Sequence, residues 1–181
     1  MDSIEVLGKF AVLQQAIELC NNLLGALPRE TWSLAVDIDD TLIFDDGRSS
    51  LNNQVVTFVQ ELYKAGAKVH LITARSKEMD RATKNELSVA KIKYTTLDVS
   101  PERARGSVKT TSEWKYSKRK EYALAEGQPI ALSIGDQWTD LVRISSEADL
   151  ESLERKYSIP WCVVKVNDDN VTRYGLKLYS P

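Results

Sequence analysis

Asp37 and Asp39 stand two residues apart in the run Val36-Asp37-Ile38-Asp39-Asp40-Thr41-Leu42, directly after the apolar stretch 32–36. Ionised carboxylates held so close repel each other, and burial raises the cost. A fold that keeps them together supplies a cation or shares a proton between them. Asp-x-Asp-x-Thr after a strand suits an aspartate nucleophile, a neighbouring acid/base and a bound Mg²⁺. The competing reading is a solvated acidic turn.

Three more blocks offer compatible chemistry. Thr73 closes the apolar run Val69-His70-Leu71-Ile72, where a hydroxyl and free backbone N–H groups suit a phosphate oxygen. Arg75, two residues on, is a candidate substrate contact. Gly135-Asp136-Gln137-Trp138-Thr139-Asp140 follows a second apolar run, and Mg²⁺ needs only one or two carboxylates besides phosphate and water. Asp37 with Asp136 meets that count, and Asp140 can hold a metal-bound water or a lysine. The block Glu113-Trp114-Lys115-Tyr116-Ser117-Lys118-Arg119-Lys120 supplies cations for a transferring phosphoryl group. Spacing alone does not choose between Lys115 and Lys118. In this scheme Asp37 attacks phosphorus, Asp39 acts as acid and then base, and Thr41 orients Asp39. Trp114, Trp138 and Phe44 are candidates for stacking a base, though aromatics more often fill cores.

The elements that must position these residues alternate. Residues 3–27 carry Val6, Leu7, Phe10, Leu13, Ile17, Cys20 and Leu24 at helical spacing, which predicts an N-terminal amphipathic helix within 1–30. Strands are expected at 34–38, 67–72, 91–97, 130–134 and 161–166. Helices are expected at 52–64, 77–90, 112–125, 140–144 and 149–156, with a loop at 99–111 and an irregular tail at 167–181. This is a single α/β domain with a mainly parallel five-stranded sheet and its catalytic core in 32–166. Asp37, Asp39, Thr73 and Asp136 all fall at C-terminal strand ends, where such sheets open their binding crevice.

The chain has 181 residues, a net charge of −2 and two cysteines, Cys20 and Cys162. Nothing in that balance favours nucleic acid. The acidic start has no signal-peptide pattern and no segment reaches a membrane span, so a cytoplasmic protein with two reduced core thiols is expected.

Taken in order, the four blocks resemble the motifs of the haloacid dehalogenase (HAD) superfamily. Asp37-Ile38-Asp39-Asp40-Thr41 is similar to its first motif and Leu71-Ile72-Thr73-Ala74-Arg75 to its second. The Gly-Asp-Gln-Trp-x-Asp-Leu form of the fourth resembles the acid phosphatase branch, which includes plant vegetative storage proteins and bacterial class B and C phosphatases. In that branch an Arg follows the motif lysine by four residues, and Lys115 with Arg119 aligns. The resemblance implies a Rossmann-like three-layer fold, Mg²⁺ held by Asp37, the Asp39 backbone carbonyl and Asp136, and an aspartyl-phosphate at Asp37. The short loops after Thr41 and before Trp114 leave room only for a minimal cap. Such an open site suits a phosphorylated small molecule or an accessible phosphate on a larger substrate, with a homo-oligomer or partner as cover.

Two other readings compete with a Mg²⁺-dependent phosphomonoester hydrolase. One is a catalytically weak binding or storage protein on the same fold. The other is a receiver-type signalling domain with Asp98 as acceptor, which leaves Asp37-x-Asp39-x-Thr41 unexplained.

Overall fold

The computed structural model describes residues 3–157 and 160–179. Its elements run Ser3–Phe10 (β1), Leu13–Gly25 (α1), Ser33–Val36 (β2), Asn53–Lys64 (α2), Lys68–Ser76 (β3), Asp80–Val89 (α3), Thr96–Ser100 (β4), Val108–Glu126 (α4), Ile130–Gly135 (β5), Glu147–Lys156 (α5), Trp161–Asn167 (β6) and Thr172–Lys177 (β7). The strands form one sheet of order β1-β6-β7-β5-β2-β3-β4. From β7 to β4 the pairings are parallel, whereas β6 runs antiparallel to both β7 and β1.

The expected five strands become seven, and both additions correct the sequence reading. The stretch 3–27 is not one helix. Ile4 and Val6 alternate with Glu5 and pack with Val164 and Val166 of β6, so period two wins over 3.6 there. A bulge between Val6 and Gly8 leaves Leu7 partly exposed, and the Phe10 ring lies over Gly8. Only from Leu13 does the helical stripe hold, through Ala16, Ile17, Cys20 and Leu24.

The expected irregular tail contains β7, an interior strand wedged between β5 and β6. Its signal was weak because Arg173, Gly175 and Lys177 break the apolar run. Gly175 is needed there. A Cβ would come within 2.7 Å of Leu141 Cδ2 and 3.1 Å of Val164 Cγ2. The β6–β7 turn places Asp169 and Asn170 at φ of 57° and 64°, a left-handed pair that suits a tight hairpin. The Asp168 carboxylate closes it by accepting from the backbone N–H groups of Val171 and Thr172.

Smaller corrections follow local chemistry. The strand expected at 91–97 starts only at Thr96, because Lys91 turns at φ 58° and the Gln60 side chain clasps the Lys93 backbone through both its donor and its acceptor. The strand expected at 67–72 continues to Ser76, past an irregularity after Thr73. The helix expected at 112–125 starts at Val108, since Ser107 and Thr110 form a reciprocal cap, and it ends at Gly127 with φ 71°. The helix expected at 140–144 is a single 3-10 turn, Trp138–Asp140.

Helices cover both faces of the sheet. On one face α1, α2 and α3 bury Ile17, Leu24, Val59, Leu62 and Leu87 with Leu34, Val36, Val69 and Leu71 of the strands. On the other, Trp114 of α4 packs with Ala35 and Ile72, and Leu153 of α5 packs with Trp138, Leu141 and Val164. Trp114 and Trp138 are thus core residues, and Phe44 is the exposed aromatic of the three. A polar cluster fixes α4 to the sheet. His70 of β3 stacks on Tyr122 at 3.8 Å and hydrogen-bonds Thr96 at 2.7 Å and Glu126 at 2.6 Å. Burial lowers the His70 pKa. Both cysteines are buried free thiols, with Cys20 pushed up to about 12 by burial. Among the described residues no helix is long and apolar enough to cross a membrane.

Candidate active site

The central strand β2 lies between β3 and β5, and the chemistry-bearing residues sit at the C-terminal ends of these three. Asp37 extends β2 by one residue, its N–H donating to the Ile134 carbonyl at 3.0 Å. Thr73 lies within β3, and Asp136 follows β5. Asp37, Thr41, Thr73, Lys115, Asp136 and Asp140 are all buried.

Asp37, Asp136 and Asp140 form a cluster whose ligand oxygens lie within 4.8 Å of one another. Lys115 reaches into it. Its Nζ hydrogen-bonds the Asp140 carboxylate and lies 3.6 Å from Asp37 Oδ1. Thr41 donates to Asp37 Oδ2 at 3.4 Å, not to Asp39 as the sequence suggested. Gln137 donates its backbone N–H to Asp140 Oδ2 at 3.0 Å and its side-chain amide to Asp136 at 3.3 Å. Arg119, one turn beyond Lys115 on α4, is buried and donates to the carbonyls of Thr139 and Asp140. One helix therefore delivers the ammonium and also fixes the turn that carries Asp140.

Three buried carboxylates crowd together around Lys115, with Arg119 and Lys177 nearby. Burial first and Asp140 next raise the Asp37 pKa well above the usual carboxylate range, against the pull of Lys115. Asp136 is also raised, by burial and then by Asp140. Burial alone would lower the Lys115 pKa, but Asp140 and Asp37 outweigh it and the ammonium is held firmly charged. An all-oxygen, carboxylate-rich donor set fits a hard divalent cation such as Mg²⁺.

The other expected site residues lie beside this cluster. Asp39 is outside the trio, and Arg75 grips its carboxylate through Nε at 3.0 Å and Nη2 at 2.7 Å. Arg75, expected to contact substrate, is instead committed to Asp39 and to Glu86 on α3, and only 9% of its side chain is exposed. Thr73 Oγ1 accepts from the Arg75 backbone N–H at 3.1 Å. Lys118 pairs with Asp98 and Glu121, away from the trio. Lys115 itself lies two turns into α4.

The connection between β2 and α2 forms a small flap. Ile43 bridges Asp39 on one side and Leu51 on the other, Asp40 sits at φ 57°, and the Asp40 carboxylate accepts from the Asp45 N–H. Glu86 escaped the sequence reading because one more charge on a polar helix face carries no signal. The role of Ser112, whose Oγ accepts from the Ile144 N–H at 2.6 Å beyond the Asp140 turn, was equally silent.

No curated protein matches the chain. A chain of a solved Pnkp1/Rnl/Hen1 complex is similar at 20% identity and a TM-score of 0.48, over 61% of this chain and 41% of its own length. The matched part is thus less than half of that relative. The family model of the HAD superfamily, subfamily IIIB (acid phosphatase), matches residues 42–160, which hold Thr73, Lys115, Asp136 and Asp140 and begin just after Thr41. That match spans well over half of the sequence, and the chain belongs to this family.

Proposed function

We propose that the protein hydrolyses phosphomonoesters with Mg²⁺ and through an aspartyl-phosphate on Asp37. One observation carries the reading: a buried carboxylate at the end of the central strand, flanked by Lys115 and by Asp136 and Asp140. Asp37, the Asp39 backbone carbonyl and Asp136 would hold the cation, with Asp140 shared between the metal side and Lys115. Bound there, Mg²⁺ supplies positive charge to the non-bridging phosphoryl oxygens.

This chain's residues do the rest. Asp37, steadied by Thr41, attacks phosphorus as the bond to the leaving oxygen breaks. Asp39 gives its proton to that oxygen. Asp39 then takes a proton from water as the water attacks phosphorus, the Asp37–phosphorus bond breaks, and phosphate leaves. Lys115 compensates charge on the phosphoryl oxygens throughout, and Thr73 is the candidate hydroxyl on the opposite side.

The short flap suits a phosphorylated small molecule or an accessible phosphate on a larger substrate. Phosphate release from nucleotides, sugar phosphates and phosphopeptides, with and without Mg²⁺, tests the reading. No release from any class in Mg²⁺ would leave the binding or storage alternative in its place.

A further inference from the structure

We infer that Glu86, on α3, is a positioning residue for this reaction: it anchors the free end of the Arg75 guanidinium and so fixes the Asp39 carboxylate that Arg75 grips. The inference rests on the phosphatase reading, in which Asp39 is the acid.

The geometry is that of a two-ended clamp. A guanidinium is planar and carries its five N–H donors in a fixed fork. The Nε and Nη2 edge of Arg75 takes both oxygens of Asp39. Its remaining nitrogen, Nη1, donates to Glu86 Oε2 at 2.8 Å and more weakly to Thr83 Oγ1 at 3.3 Å. The Glu86 bond is the charge-assisted one and the stronger of the two. Asp39 needs such a hold. Its side chain is 40% exposed, and it precedes the left-handed Asp40 in an irregular connection. Without an anchor at Nη1 the guanidinium turns about its own long side chain, and Asp39 turns with it. Arg75 first, and the nearby Ser49 of the flap that Ile43 and Leu51 close, hold the Glu86 pKa below its usual value. One carboxylate thus holds the guanidinium that holds the acid. The other ion pair on α3, Asp80 with Lys84, runs along the helix and touches none of these.

Leaving-group dependence reads this role directly. An alkyl phosphate needs its leaving oxygen protonated, and p-nitrophenyl phosphate hardly does. The protein in Mg²⁺ is assayed on both. Glu86→Ala is expected to lower kcat/KM, which reads only the steps up to phosphoryl transfer to Asp37, by ~10-fold or more on the alkyl phosphate, within the range general acids contribute. On p-nitrophenyl phosphate kcat/KM should stay within about 2-fold, because the water step that Asp39 also serves lies after that transfer. Glu86→Gln keeps an oxygen at the same reach and should recover most of the loss. Glu86→Asp keeps the charge but withdraws it by one methylene and should resemble Glu86→Ala, which covers the case of an unfolded alanine variant. Lys84→Ala should match wild type on both substrates. Equal losses of kcat/KM on the two substrates, no loss on either, or a Gln variant no better than Asp overturns the role of Glu86 and leaves the phosphatase reading standing. A wild-type protein that hydrolyses neither substrate overturns both.

Discussion

The carboxylate of Asp140 occupies the space that a side chain on Gly135 would need. A Cβ built on Gly135 overlaps the Asp140 Cβ and carboxylate. The glycine is not there for its backbone freedom, since its φ is not left-handed. It lets the 3-10 turn fold back so that Asp140 meets Lys115 and the Gln137 N–H.

Gly135→Ala is therefore expected to fold, because β5 is an ordinary strand, but with Asp140 displaced. A displacement near 1 Å costs on the order of 100-fold in turnover. Circular dichroism and steady-state kinetics on one preparation check it. Near-wild-type turnover would show that Asp140 is not needed where it stands.

A second expectation concerns Asp37 and pH. In the folded protein burial, then Asp140, disfavour ionisation of Asp37. A carboxyl whose folded pKa is raised binds more protons folded than unfolded. Its contribution is thus full below the unfolded value and is lost as pH climbs from about 4 toward the raised folded value. In chelator the wild-type melting temperature should fall across that window, and Asp37→Asn should fall less. At neutral pH the difference favours Asp37→Asn, which has no charge to desolvate or to set against Asp140. Mg²⁺ should raise the wild type by binding the folded state and raise the variant less. The same variant should lose at least ~100-fold in turnover, about 2.7 kcal/mol of barrier. Parallel melting curves across pH for the two proteins would contradict the electrostatic account.

The two lysines of α4 separate a site role from a surface role. Lys115 is buried among carboxylates, so Lys115→Ala leaves Asp37 and Asp140 uncompensated. It should damage both KM and kcat and lower stability by ~3 kcal/mol or more, as for a broken buried pair. Lys118 is partly exposed and pairs with Asp98 and Glu121. Lys118→Ala should cost ~1 kcal/mol or less and leave kinetics alone. Side-by-side kinetics and urea melts decide, and the reverse ranking refutes the placement.

The strand ends were easier to read than their setting. Asp37, Thr73 and Asp136 each close a continuous apolar run, and parallel strands buried on both faces leave that trace in sequence. The partners of the side chains were not legible. Whether Arg75 meets substrate or Asp39 depends on Glu86, which sits 11 positions away on a helix of mixed charge. At the chain ends, propensity misled. Val6, Leu7 and Phe10 fit a helical stripe as well as a strand, and the partner that decides, β6, lies more than 150 residues away. β7 was hidden because its neighbours on both sides supply the burial that its own charged residues obscure.

That hidden strand gives the last prediction. β7 pairs with β5 through Leu132–Tyr174 and Ile134–Leu176, and with β6 through Val163–Leu176. The Leu178 N–H continues the ladder by donating to the Gly135 carbonyl at 2.8 Å, one residue before Asp136. Without β7, the site edge of β5 loses its hydrogen-bond partner, and Leu141, which fills the space over Gly175, loses its seat. A bulkier residue at that glycine should act the same way by a smaller cause. Gly175→Val must push Leu141 aside, and overpacking of this kind costs about 1–3 kcal/mol. Leu141 follows Asp140 directly, so the shove reaches the turn that carries Asp140. Gly175→Val should lower both the melting temperature and turnover, and pairing it with Leu141→Ala should recover part of the stability by emptying the contested space. A Gly175→Val protein as stable as wild type, or a double variant with simply additive losses, would place the tail outside the sheet, as the sequence alone had suggested.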